Sequence, residues 1–246
     1  MTDLKDMMVQ YPGDGMTVRA YLVGPQGKAK RPAIIVIQEW WGLNDHIKDI
    51  AKRYAQEGYI AIVPDLYSRL GNKVVPNSNP DEAGKLMGSL KREDGLKDLQ
   101  ATVAYLKTLP EADAARIGVT GFCMGGTYAL MLPCVSQAIK AAAPFYGQVP
   151  NPDAPIKELA CPVLYIYGED DGWITKADVQ RLANALKKYG KQGEIKTYPG
   201  APHAFFNDTR KDVYKQAEAK DAWTRALAFF KQHLGRRDAQ SESCRV

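Results

Sequence analysis

Histidine is scarce in this chain, with three among 246 residues. Any catalytic base of the imidazole type must therefore be His46, His203 or His233. Cysteine is nearly as rare. Cys123, Cys134, Cys161 and Cys244 match neither metal-ligand spacing nor the pattern of a small disulfide scaffold. Long apolar runs are missing as well: the longest, such as Ala33 to Ile37, have strand length, so no membrane span is expected. The opening residues Met1 to Asp6 lack a basic stretch followed by an apolar one, and no secretory leader is expected. With so few cysteines, this favours a reducing cytoplasm. Charge of one sign is also missing: 33 basic and 28 acidic residues leave a net +5. The basic residues are scattered, without aromatic interleaving, which argues against a nucleic-acid partner.

What is present is an ordinary globular composition, 45% hydrophobic and 25% charged. The order of elements is more telling. Met7 to Tyr11 and Met16 to Val23, around Pro12-Gly13-Asp14-Gly15, read as an N-terminal antiparallel hairpin. Continuous apolar strands follow at 33–37, 59–63, 117–119, 141–146 and 162–167, with a short strand at 195–198. Helical spacing falls between them, at about 45–56, 96–106, 127–132, 176–188 and 213–234. Residues 66–94 read as an irregular insertion over the end of the second of these strands, rich in loop chemistry such as Pro76-Asn77-Ser78-Asn79-Pro80. Strands alternating with helices predict a mostly parallel sheet with helices on both faces. One α/β domain over 1–234 is expected, with a polar tail at 235–246.

The sharpest motif is Gly121-Phe122-Cys123-Met124-Gly125-Gly126. It lies between an apolar strand and a helix-like run. This is the context of the nucleophile elbow of α/β-hydrolases, with sulfur in place of oxygen. Such a nucleophile needs a base, and the base an orienting acid, in the chain order nucleophile, acid, histidine. His203 sits in a Gly/Pro-rich loop after the last strand. His46 reads as an exposed or capping residue, and His233 as a surface group near a helix end. Among the acids after Tyr167-Gly168, Asp171 fits the turn best, with Glu169 and Asp170 as competitors. An oxyanion hole would draw on the backbone N–H groups of Met124 and Trp40. Glu39, beside Trp40 and Trp41, is either a buried acid in a salt bridge or a base for the thiol.

These segments together resemble the dienelactone hydrolase family. The matching stretches are Gln38 to Gly42, Gly58-Tyr59 through Tyr67, the Cys123 motif, Phe145-Tyr146-Gly147, Gly168 to Asp171 and His203-Ala204-Phe205. The resemblance implies an α/β-hydrolase fold and a Cys123-His203-Asp171 triad acting on a small-molecule lactone or ester through a thioester. It also implies that Glu39 contacts the resting thiol and helps form the thiolate when substrate enters. No metal or organic cofactor is implied. The chain would act as a monomer or weak homo-oligomer.

Trp41, Phe145, Tyr146, Trp173, Phe205 and Asn207 are expected to line the substrate pocket. Asn207 stands where the family carries an arginine for the substrate carboxylate, and Arg210 is the nearest arginine. That departure points to broader ester tolerance. Two other readings use the same residues: a different acyl hydrolase or acyltransferase on this scaffold, or a small-molecule binder without turnover.

Overall fold

The computed structural model describes residues 2–235; the expected tail, Gly235 apart, lies outside the described residues. Eight strands form one sheet: β1 (Leu4–Pro12), β2 (Thr17–Pro25), β3 (Arg31–Ile37), β4 (Ile60–Pro64), β5 (Ala112–Phe122), β6 (Ile139–Phe145), β7 (Val163–Gly168) and β8 (Gly193–Tyr198). Their order across the sheet is β1-β2-β4-β3-β5-β6-β7-β8. β1 and β2 pair antiparallel, with Leu4 opposite Pro25 and Pro12 opposite Thr17, and β2 runs antiparallel to β4. From β4 to β8 every pairing is parallel. This is the α/β architecture expected from the alternation of elements.

Side chains along a strand alternate between faces, and β3 shows what that does here. Ile35 and Ile37 enter one core; Ile34 and Val36 enter the other. The first core takes the apolar faces of α2 (Pro80–Ser89), α3 (Arg92–Thr108), α4 (Met124–Val135) and α5 (Lys176–Lys188). The second takes those of α1 (Asp45–Gln56) and α6 (Gln216–Leu234). Both sheet faces are thus covered, which is why the central strands read as continuous apolar runs.

Residues 66–94 are more regular than expected. Asn79 caps α2 by accepting from the Glu82 amide, and Pro80 occupies the first turn. The signal lay in Asn79-Pro80-Asp81-Glu82, a cap followed by proline and acids. Within a Pro/Asn-rich stretch the same residues also fit loop chemistry. α3 begins at Arg92, four residues before the first apolar position of its helical pattern. His46 also departs from expectation. It is buried, 6% exposed, with Nδ1 3.4 Å from Asp208 Oδ1. The amphipathic pattern of α1 turns that first-turn residue inward with Ile47 and Ile50.

Because β3 and β5 to β8 are parallel, their carboxyl ends open on one edge of the sheet. The loops leaving those ends carry Glu39, Cys123, Tyr146, Asp171 and His203. In open α/β sheets this edge is where ligands bind. Its geometry depends on bare backbone contacts. A Cβ on Gly125 would collide with the carbonyl oxygens of Ile37 and Gln38, and one on Gly126 with that of Phe145. Gly88 in α2 has open space around it. Gly125→Ala should therefore cost about 3 kcal/mol by overpacking and lower Tm by about 6–12 °C. Gly88→Ala should instead raise stability by about 0.5–1 kcal/mol. Thermal denaturation of the two variants checks the contrast.

Candidate active site

Cys123 joins β5 to α4 in a conformation that side chains rarely adopt, φ 57° and ψ −119°. The turn is held by backbone bonds. The Cys123 N–H donates to the Phe145 carbonyl at 3.2 Å, and the Thr127 N–H to the Cys123 carbonyl at 3.2 Å. Tyr146 (φ 40°) and Ala204 (φ 62°) are also left-handed, and both flank the same site. Three of the four non-glycine residues with positive φ among the described residues thus surround one point. Strain of this kind costs about 1–3 kcal/mol per residue and persists only where the surroundings over-determine it.

A cavity of about 260 Å³ opens above this turn. Glu39, Trp41, Cys123, Trp173 and His203 line it, together with Trp40, Met87, Ala204 and Arg210. His203 Nδ1 lies 2.7 Å from Asp171 Oδ2. The other Asp171 oxygen accepts from the amides of Trp173 (2.7 Å) and Ile174 (2.8 Å), so the start of the following turn orients the carboxylate. Glu169, a competing acid, instead pairs with Lys176 at 3.4 Å on the surface side. The free ring nitrogen, His203 Nε2, is buried without a hydrogen-bond partner among the described residues. Burial opposes a charge on this ring. The hydrogen bond to Asp171 and the neighbouring Cys123 sulfur outweigh it, and the pKa is pushed up to about 10.

Glu39 is 3% exposed and accepts from Asn207 Nδ2 at 2.7 Å. Asn207 Oδ1 in turn accepts from the Thr209 amide (3.1 Å) and hydroxyl (2.6 Å). Asn207 is fully buried and does not line the cavity. This corrects its expected role: with its oxygen turned to its own loop, its amide faces Glu39 and not a ligand. Phe145, Tyr146 and Phe205 do not line the cavity either. All three are fully buried, Phe145 and Tyr146 at the end of a central strand and Phe205 in the loop over it. Tyr146 still matters locally, its ring standing edge-on to His203 at 5.0 Å.

Of the expected lining residues, Trp41 and Trp173 face the cavity. Arg210, from the loop after His203, and Met87, from α2, join them. Arg210 also bonds Asp212 at 2.6 Å. A further residue ties the two expected oxyanion donors together. Tyr67 is fully buried; its hydroxyl donates to the Trp40 carbonyl at 2.8 Å and lies 3.6 Å from Met124 Sδ. Its aromatic type at the end of a buried segment carried no sequence signal for that contact. Cys134 and Cys161 are buried free thiols, and burial pushes both pKa values up to about 12. Among the described residues, no cluster of His, Cys, Asp or Glu could hold a metal ion. None of their helices is long and apolar enough to cross a membrane.

The dienelactone hydrolase family model matches residues 18–234, the whole α/β core with its cavity. This chain belongs to the dienelactone hydrolase family. Protein usf of Aquifex pyrophilus is 38% identical, over 92% of this chain and 98% of its own. A protein of Aquifex aeolicus named "Putative carboxymethylenebutenolidase" is 35% identical over the same shares. The crystal structure named "Putative Dienelactone Hydrolase", from Klebsiella pneumoniae, superposes with a TM-score of 0.86 at 33% identity. That superposition covers 94% of this chain and 99% of the other. A hydrolase of this family on an α/β-hydrolase fold is the result.

The raised His203 pKa has a consequence for stability. A group whose pKa is higher folded than unfolded contributes fully below its unfolded value, near 6.5. That contribution is lost as pH rises through the folded value, about 10. The Tm of the native protein should therefore fall between about pH 7 and pH 10.5. Asp171→Asn should flatten the part of that decline due to His203. Calorimetry across this pH series in both proteins is the measurement.

Proposed function

We propose that this family member hydrolyses a lactone or carboxylic ester through a thioester on Cys123. The observation that carries the reading is the 2.7 Å bond of His203 to Asp171, with the free ring nitrogen buried in the cavity that Cys123 lines. That arrangement orients a proton carrier beside a thiol.

Glu39, held by Asn207, takes the thiol proton when substrate enters. The thiolate is favoured by the α4 N-terminus and by a charged His203. It attacks the carbonyl carbon, and the oxyanion rests on the Trp40 and Met124 amides. Neither amide donates a hydrogen bond within the described residues. The tetrahedral species collapses as His203 protonates the leaving oxygen. Neutral His203 then removes a proton from water, which attacks the thioester. The acid product departs, the sulfur leaves as thiolate, and Glu39 returns its proton.

A wide apolar cavity walled by Trp40, Trp41, Met87 and Trp173 fits aryl and alkyl esters as well as an enol lactone. The reading includes no cofactor, a cytoplasmic setting, and action as a monomer or weak homo-oligomer. With 4-nitrophenyl acetate, native protein should release nitrophenolate and trap a Cys123 acetyl thioester detectable by mass spectrometry after acid quench. Cys123→Ala should lose at least about 10³-fold in kcat. Turnover by Cys123→Ala at the native rate would sink the mechanism. Tyr67→Phe frees the Trp40 carbonyl and should lower kcat by roughly tenfold with KM little changed. Steady-state kinetics on the same ester separates the two parameters.

A further inference from the structure

His46 is a buried titratable group that the mechanism above does not use. It is 6% exposed, and neither ring nitrogen has a hydrogen-bond partner among the described residues. A buried polar group without a partner costs stability and calls for a structural reason. Its Nδ1 stands 3.4 Å from Asp208 Oδ1, short of hydrogen-bond geometry. The other Asp208 oxygen accepts from Arg53 Nη2 at 2.5 Å. Arg53 is set for that contact from its own helix: its Nε donates to Asp49, one turn earlier, at 2.7 Å. Burial opposes the guanidinium charge, but the bonds to Asp208 and Asp49 outweigh it and raise the Arg53 pKa. Two side chains of α1 thus address one carboxylate, which belongs to another part of the chain.

Asp208 is the residue after Asn207. Both lie in the connection from β8 to α6, residues 199–215, which holds no helix or strand. This loop carries His203, Asn207 and Arg210. Phe205 and Phe206 bury its first half in the second core. Beyond them, two consecutive side chains are gripped from different sides. Glu39 accepts from Asn207, and α1 holds Asp208. The bonds of Asn207 Oδ1 go to Thr209 of the same loop, so they move with the loop and anchor it to nothing else.

α1 is also the helix into which the Glu39 segment runs, through residues 40–44, with Asn44 as its cap. The two ties therefore close a ring: Glu39, Asn207, Asp208, Arg53, and the chain back to Glu39. Ile47, Ile50 and Tyr54 fix α1 in the second core, which makes the helix the rigid side of that ring. Asp208 does not line the cavity. We propose that Asp208, clamped by Arg53 and flanked by His46, is a positioning residue: it fixes Asn207, and through it the direction of the Glu39 carboxylate. The proposal rests on the hydrolase reading above, in which Glu39 takes the thiol proton.

The test is a double-mutant cycle on kcat with 4-nitrophenyl acetate, in the full chain. Asp208→Ala should lower kcat roughly five- to twentyfold with KM little changed. In a Glu39→Gln background the same substitution should change kcat by less than about twofold, since the base it positions is already gone. A role confined to stability gives another pattern: a lower Tm, with kcat unchanged or lowered by the same factor in both backgrounds. That pattern overturns the proposal, as does a native kcat in Asp208→Ala. Asp208→Asn keeps the shape and one acceptor oxygen, and should lose less; it carries the same cycle if the alanine variant does not fold. Arg53→Ala should match Asp208→Ala, and Arg53→Lys should recover part of the loss. Failure of the hydrolase reading looks different: Glu39→Gln would then keep the native kcat, or Cys123→Ala would turn the ester over, whatever Asp208→Ala does.

Discussion

The backbone turn at Cys123 is the constraint on which the rest of this structure depends. A side chain at φ 57° is held there by neighbours packed backbone against backbone. Gly121 faces Gly125, Gly125 faces the end of β3, and Gly126 faces Phe145 and Gly147. Each glycine lets one more main chain approach the turn. The Tyr165 hydroxyl adds a buried bond to the Gly147 carbonyl, fixing the loop after β6 from the next strand. The sulfur is presented at the sheet edge because the backbone beneath it has nowhere else to go.

The loops that converge on this point are tied to each other as well as to the sheet. Asn207 holds Glu39 across 168 residues of chain. Tyr67 holds the Trp40 carbonyl, and Asp171 is held by its own turn while it orients His203. The bonds of Asn207 to Glu39, Tyr67 to Trp40 and His203 to Asp171 each join segments far apart in the chain. Positive φ at Tyr146 and Ala204 shows the same economy: strained residues stand where the loops must crowd together. The raised His203 pKa follows from that crowding: burial alone would lower it, and the neighbouring Asp171 and Cys123 outweigh the burial.

Much of this was legible in residue order. Alternating apolar runs and helical spacings predicted a parallel sheet covered on both faces, and the Gly-flanked Cys123 predicted the elbow. With three histidines to choose from, position after the last strand singled out His203, which the structure joins to Asp171. The misreadings have physical causes. An aromatic residue at a strand end can face a cavity or the core, and local pattern does not tell them apart: Phe145, Tyr146 and Phe205 went to the core, Trp41 and Trp173 to the cavity. Asn207 reads as a ligand contact because it stands at the family's arginine position, and its actual partner in space, Glu39, is far away in sequence. Asn79 and Pro80 fit a loop as well as a helix start because cap and loop residues are the same types.

The sequence by itself determined the fold class and the candidate chemistry, because both rest on local patterns: period, turn residues and a glycine-framed thiol. The tertiary structure decided which polar groups hold one another. Asp208 and Asp212 read alike in sequence, two acids in one polar loop, yet the first is bonded by Arg53 of α1 and the second by Arg210 of the same loop. What a charge does depends on who stands beside it, and for Asp208 that neighbour comes from a distant part of the chain.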